Sequence, residues 1–307
     1  MLALLAPGQG SQSPGFLSPW LEDPKAAELL SNWSDAIGLD LTRLGTVATA
    51  DEIRDTANAQ PLLVAGGMIG ASTLFGADLS SISYIAGHSV GEITAAAICG
   101  AIDEVSAIKL VHARGAQMAI AAKNSNTGMS AVLGGERQAV LDAIAAQGLT
   151  AANENGGGQI VAAGSLSALA ALSENPPEGA RVRALAVSGA FHTSTMAPAV
   201  SPLAKLGASL ICSDSKIPFI SNKDGAVIED SREILDRIVG QIASPVRWDL
   251  CMNTLAKCGV TGIIEVPPAG TLAGLVKRAQ SEIETFTLKS PEDLAAAGKF
   301  IAKHGGN

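Results

Sequence analysis

Gly87-His88-Ser89-Val90-Gly91 reads G-x-S-x-G and falls between an apolar run ending at Ala86 and a stretch of small, helix-forming residues. That spacing suits a nucleophilic serine. A sharp strand-to-helix turn, tolerated by the flanking glycines, strains the serine backbone and projects its hydroxyl from the helix N-terminus. The plain alternative is a tight connection whose serine caps the helix. A serine hydroxyl is a weak nucleophile near neutral pH and needs a base for its proton, usually histidine. Besides His88 the chain carries His112 on an expected helix, His304 in a glycine-containing tail expected to fray, and His192 in Val187-Ser188-Gly189-Ala190-Phe191-His192-Thr193. His192 stands where the chain is expected to leave a small domain, and loops at such junctions collect catalytic groups. The local residues fit a packed junction histidine equally well. A second glycine-flanked segment, Pro7-Gly8-Gln9-Gly10-Ser11-Gln12, follows the first apolar run and can bring backbone amides close to a ligand. Its glycines are out of register for a dinucleotide fingerprint, and an ordinary turn is the other reading.

The elements that must hold these residues follow from the pattern around them. Short apolar runs (Leu2–Ala6, Ile82–Ala86) alternate with alanine-rich helices beginning near Pro61 and Val90, the order of a parallel sheet covered by helices. Beyond Asn124 the texture changes. Met129–Leu133, Gln138–Gln147, Thr150–Asn153, Gln159–Ala163, Leu166–Leu172 and Arg181–Val187 read as β-α-β-β-α-β, a ferredoxin-like order. A small domain is therefore expected over 124–190, inserted into a large domain formed by 1–123 and 191–307, with Ile217–Ser221 and Thr261–Val266 as further strands of the large one. The composition agrees with an α/β protein: of 307 residues 47% are hydrophobic, 16% charged and 3% aromatic, with 33 glycines. A formal charge of −8 without a basic run at either end disfavours nucleic-acid binding. The uncharged stretch Thr56–Ala77 has the length of a membrane span, but its Asn58, Gln60, Pro61 and glycines mark a buried helix. No targeting segment is evident, so cytoplasm is the expected location. Cys99, Cys212, Cys251 and Cys258 form no C-x-x-C pair and are expected to be reduced and buried; the histidine spacings suggest no metal site.

Taken together, the motifs resemble one family, the malonyl-CoA:acyl-carrier-protein transacylases and the acyltransferase domains of polyketide and fatty-acid synthases. The likeness spans nearly the whole chain in order. It runs through Pro7–Gln12, Gln60-Pro61, Gly87–Glu92, Arg114-Gly115 with Met118, Asn155 with Gly158-Gln159-Ile160-Val161 and Gly164, Phe191-His192, and Gln241 with Pro245-Val246-Arg247-Trp248. The resemblance implies an α/β-hydrolase-like large domain with an inserted ferredoxin-like small domain. It implies ping-pong transfer of malonyl from malonyl-CoA through a malonyl-Ser89 ester to the phosphopantetheine thiol of acyl carrier protein, for fatty-acid elongation. His192 would be the base, held by the Gln241 backbone carbonyl where a hydrolase has a carboxylate, and Gln9 and Val90 would form the oxyanion hole. Arg114, otherwise a helical arginine paired with a surface glutamate, would grip the malonyl carboxylate. Phe191 would crowd α-branched acyl groups, and Asn155 and Met118 would line the pocket unless they are junction packing. No cofactor beyond the two thiol carriers is implied. An acidic carrier needs a local basic patch, for which Lys277-Arg278, Arg181 with Arg183, and Lys289 are the candidates. The rival readings are a serine hydrolase or thioesterase and a catalytically silent carrier-binding subunit.

Overall fold

The computed structural model describes residues 1–123, 125–187 and 189–306; Asn124 and Ser188, at the two expected domain boundaries, lie outside the described residues. The chain opens with β1 (Leu2–Ala6), α1 (Pro24–Ile37), α2 (Leu41–Thr46) and α3 (Thr56–Phe75). Then come β2 (Ile82–Gly87), α4 (Gly91–Ile98) and α5 (Glu104–Lys123). The next stretch holds β3 (Thr127–Gly134), α6 (Arg137–Ala146), β4 (Thr150–Gly156), β5 (Gln159–Ser165), α7 (Leu166–Glu174) and β6 (Ala180–Ala184). The remainder is α8 (Ala197–Ser209), β7 (Phe219–Ile220), β8 (Val227–Ile228), α9 (Ser231–Gln241), β9 (Val246–Arg247), α10 (Trp248–Lys257), β10 (Gly262–Glu265), α11 (Thr271–Ala279), β11 (Glu284–Thr287) and α12 (Leu294–His304).

Two sheets result, in a mixed α/β architecture. The first has the order β11-β10-β1-β2-β7-β8, parallel except for the β7–β8 pair. Its central strand β1 is buried throughout, as expected of an unbroken apolar run covered on both faces. Alternation divides its side chains: Leu2, Leu4 and Ala6 join the core of α3, α4 and α5, while Ala3 and Leu5 join that of α10 and α11. Because Ala6 pairs with Gly87, the loop after β1 and the turn after β2 leave the sheet side by side. That end of the strands is where open α/β sheets bind ligands.

The second sheet has the order β6-β3-β5-β4-β9. Four of its strands come from 127–184 in the expected sequence, and α6 and α7 cover one face through Val140, Ile144, Leu169 and Leu172. Its fifth strand, β9, was not anticipated: it arrives from Val246–Arg247 and pairs parallel with β4.

The structure corrects several details. α3 begins at Thr56, five residues before the expected start at Pro61, because Asp55 caps it by accepting the Ala57 N–H, a bond type that stabilises a helix by about 1 kcal/mol. Pro61 is accommodated inside the helix, where thirteen consecutive residues from Ala59 to Ala71 are buried. Among the described residues no helix is long and apolar enough to cross a membrane. The strand expected over Ile217–Ser221 is only Phe219–Ile220. His304 is not in a frayed tail: it ends α12, buried, with Nδ1 2.9 Å from Thr261 Oγ1. Cys99 and Cys251 are buried, whereas Cys212 and Cys258 are half-buried.

Candidate active site

The turn after β2 explains the G-x-S-x-G spacing sterically. A Cβ on Gly87 would lie 2.0 Å from the Gly91 carbonyl carbon and oxygen, and one on Gly91 would lie 2.2 Å from the Ala6 carbonyl oxygen. Only glycine fits either position. Between them Ser89 has φ 54°, and among the described residues the other non-glycine with positive φ is His192 at 61°. Such left-handed backbone costs about 1–3 kcal/mol per residue and persists where surroundings over-determine it. Asn222 supplies much of that restraint: Oδ1 accepts the Ser89 N–H at 2.8 Å and Nδ2 donates to the Gly87 carbonyl at 2.7 Å.

The two strained residues face each other. Ser89 Oγ lies 2.8 Å from His192 Nε2, and His192 Nδ1 lies 3.0 Å from the Gln241 backbone oxygen. A carbonyl accepts and never donates, so Nδ1 carries the proton and Nε2 is left bare to take one from the serine. Burial first, and then the positive charge of Arg114, push the His192 pKa down to about 3, so the imidazole is a neutral base across the physiological range. His112, on α5, and His304, on α12, form no such pair with Ser89.

Arg114 reaches this pair from α5. It is 1% exposed, and its only described polar partners are neutral. Nη1 donates to Gln60 Oε1 at 2.7 Å; Nη2 donates to Gln241 Oε1 at 3.0 Å and Ser89 Oγ at 3.2 Å. Nε has no partner. The reading of Arg114 as one half of a surface ion pair is therefore excluded. Burial lowers its pKa to about 10, which leaves it cationic at neutral pH.

The remaining expected residues surround this centre unevenly. Gln9 turns its carboxamide towards Thr56 Oγ1 (3.2 Å) and the Arg54 carbonyl (3.5 Å), so any donation to a reacting group comes from its backbone N–H. The Val90 backbone leads into α4, and the described hydrogen bonds assign no acceptor to its N–H. Met118, buried, accepts from Gln60 Nε2 at 3.5 Å and so backs the Arg114 partner. Asn155 Oδ1 meets His88 Nε2 at 2.8 Å, tying the second sheet to the residue before Ser89. Phe191 is buried beside His192. Arg54 and Thr56, which hold the Gln9 carboxamide, also line a cleft of about 630 Å3 with Lys123, Thr127 and Val187. Arg181 and Arg183 lie on edge strand β6, Lys277 and Arg278 in the last turn of α11, and Lys289 after β11, all exposed.

Three residues of the site were given no role from sequence: Gln60, Asn222 and Glu92. Glu92 is 1% exposed; Oε1 accepts the Asn222 N–H at 2.6 Å and Oε2 accepts from Gln241 Nε2. Burial pushes its carboxyl up to about 8, against the pull of the Asn222 N–H and the Arg114 charge. A lone charge among the small and apolar residues of Gly91–Ile98, where Thr94 is the other polar side chain, is the available signal. Among the described residues no cluster of three or more His, Cys, Asp or Glu converges on a metal position.

Comparison with known proteins adds to this geometry. A family model described as acyl transferase domain matches residues 4–306. A malonyl CoA-acyl carrier protein transacylase of Mycobacterium tuberculosis is 49% identical over 300 residues, covering 96% of this chain and 98% of the relative. The crystal structure of MCAT from Mycobacterium tuberculosis matches with a TM-score of 0.92 and 48% identity, over 96% of this chain and 98% of that one. A structure of a type II PKS acyl-carrier protein in complex with its malonyl-transacylase matches at 0.89 and 29% identity, over 97% and 99%.

Proposed function

Since the chain belongs to the acyl transferase family, among the malonyl CoA-acyl carrier protein transacylases, we propose a malonyl transfer built on Ser89, His192 and Arg114. The protein is an acyltransferase that moves malonyl from CoA to the phosphopantetheine thiol of acyl carrier protein, a step that supplies fatty-acid elongation. In the first half-reaction Ser89 Oγ attacks the thioester carbonyl while its proton passes to His192 Nε2. The C–S bond then breaks, and the departing CoA sulfur takes that proton from the imidazolium. In the second half the carrier thiol gives its proton to His192, its sulfur attacks the malonyl ester, and Ser89 Oγ leaves with the proton. The Gln9 and Val90 backbone N–H groups would receive the oxyanion, Val90 aided by the start of α4.

The observation that carries this reading is the buried Arg114 guanidinium, which touches Ser89 Oγ and keeps an unpartnered Nε–H. A carboxylated acyl group bound through that fork sits beside the nucleophile, whereas an acetyl group leaves the cation unpaired. A neutral carbonyl on His192 Nδ1, in place of a carboxylate, favours this reading over the hydrolase. Phe191 would crowd an α-methyl branch, with Met118 and Asn155 supporting the pocket wall through Gln60 and His88. The reaction needs no cofactor beyond the two thiol carriers. We further read 1–123 with 191–307 as an α/β-hydrolase-like domain and 124–190 as a ferredoxin-like insertion, and cytoplasm as the location.

Intact mass after brief mixing with malonyl-CoA, or with acetyl-CoA in parallel, tests the reading. A malonyl adduct on Ser89 that moves to phosphopantetheinylated carrier protein is expected. No adduct, or one that decays to free malonate regardless of carrier, would overturn it.

A further inference from the structure

Glu92 is a buried acid that the proposed chemistry does not use, and its surroundings explain why it is there. The two groups at its carboxyl oxygens, the Asn222 N–H and Gln241 Nε2, are both donors. That arrangement belongs to an anion: an un-ionised Glu92 would leave its own O–H between donors, and we read it as ionised despite the upward push of burial. A carboxylate only accepts, so it fixes the Gln241 carboxamide with nitrogen towards Glu92 and oxygen towards Arg114. Arg114 Nη2 then has a set acceptor at 3.0 Å, which aims the same nitrogen at Ser89 Oγ 3.2 Å away. Gln241 Nε2 also meets Asn222 Oδ1 at 3.1 Å, and that oxygen holds the Ser89 N–H. With Gln60 on Nη1, this leaves Nε as the free arm of the guanidinium fork.

We propose that Glu92 positions the Arg114 fork through the Gln241 carboxamide, and so sets the preference for carboxylated acyl groups without touching the acyl group. This rests on Arg114 being the carboxylate-binding residue. Glu92 is a positioning residue, one amide removed from the cation it balances, and its charge offsets Arg114 before substrate arrives.

The test compares malonyl-CoA with acetyl-CoA in the wild type, Glu92→Gln and Glu92→Asp. A glutamine at 92 offers one acceptor oxygen to two donors, which frees the Gln241 amide to turn. For Glu92→Gln the malonyl KM should rise by about tenfold or more, with malonyl kcat and acetyl kcat/KM each within about threefold of the wild type. Glu92→Asp keeps two acceptors and should recover most of the malonyl preference. An unchanged malonyl-to-acetyl ratio in Glu92→Gln, or equal losses for both acyl groups, overturns the proposal. Should Glu92→Gln fail to fold, Gln241→Leu keeps the backbone carbonyl on His192 but removes the bridging amide. It should lower the ratio in the same way, and an unchanged ratio there also overturns the proposal. A wild type without malonyl preference would instead refute the Arg114 reading, and the role of Glu92 with it.

Discussion

Replacing Arg114 with alanine separates acyl selection from acyl transfer. In the free protein the guanidinium is 1% exposed, bonded to three neutral oxygens, and separated from Glu92 by the Gln241 amide. A malonyl carboxylate would be its first direct counter-charge. Two unit charges about 4 Å apart attract by about 4 kcal/mol at an effective dielectric near 20, and desolvation of the carboxylate subtracts from that. Losing one partner of a buried, hydrogen-bonded charge pair costs about 2–5 kcal/mol, so about 3 kcal/mol is a reasonable net figure. Arg114→Ala should then lower kcat/KM for malonyl-CoA by about a hundredfold. Acetyl-CoA, which leaves the cation unpaired in the wild type, should hold its rate or gain. The assay is single-turnover acylation of Ser89 followed by intact mass, with both thioesters at matched concentrations. A malonyl-to-acetyl ratio within about threefold of the wild type would refute the reasoning, since selectivity would not come from this charge. Thermal melting must accompany the kinetics, because Gln60 Oε1 and Gln241 Oε1 lose a donor and each unsatisfied group costs about 1–3 kcal/mol.

Three further outcomes are expected. His192→Asn, chosen because asparagine tolerates the φ of 61°, should slow malonyl-Ser89 formation by about a thousandfold with a near-native melting curve, and retained acylation would reassign the base. A base whose pKa burial pushes down to about 3 stays neutral on acidification, so the acylation rate constant should be flat from pH 8 down to pH 5; stopped-flow rates falling with the midpoint of an ordinary imidazole would contradict this. Gly87→Ala places a Cβ 2.0 Å from the Gly91 carbonyl and should destabilise the fold by about 3 kcal/mol or more, read by urea unfolding; an unchanged midpoint would mean the turn can relax.

The parts of the site that were legible in the sequence are those that a local constraint writes into neighbouring residues. Gly87 and Gly91 are forced by contacts of about 2 Å, so the nucleophile's turn appears as a short pattern. The second sheet's β-α-β-β-α-β order was equally readable, because each element's period is local. Glu92 and Asn222 were not: a single hydrogen bond joins them across 130 residues, and neither side of it constrains its own neighbours. β9 escaped for a related reason, since two residues carry no periodicity. Pro61 signals a first helical turn, whereas the Asp55 cap on the Ala57 N–H starts α3 five residues earlier. The glycines after His304 suggest a frayed end, but its packing comes from Gly262, Thr261 and the ring of Phe300.

The place of β1 also bears on the order in which the molecule can assemble during synthesis. β1 is made before the other strands of its sheet, yet it ends in the middle of that sheet, between β2 and β10. One edge can pair once Ile82–Gly87 has emerged, but the other waits for Gly262, which pairs with Leu2. Until then an apolar strand carries an open hydrogen-bonding edge, the kind of template that recruits other chains. Parallel closure over such a separation is entropically slow. The Pro7–Gln12 loop is set beside the Ser89 turn by the Ala6–Gly87 pairing, while the strand that carries it is enclosed on both edges only when β10 arrives.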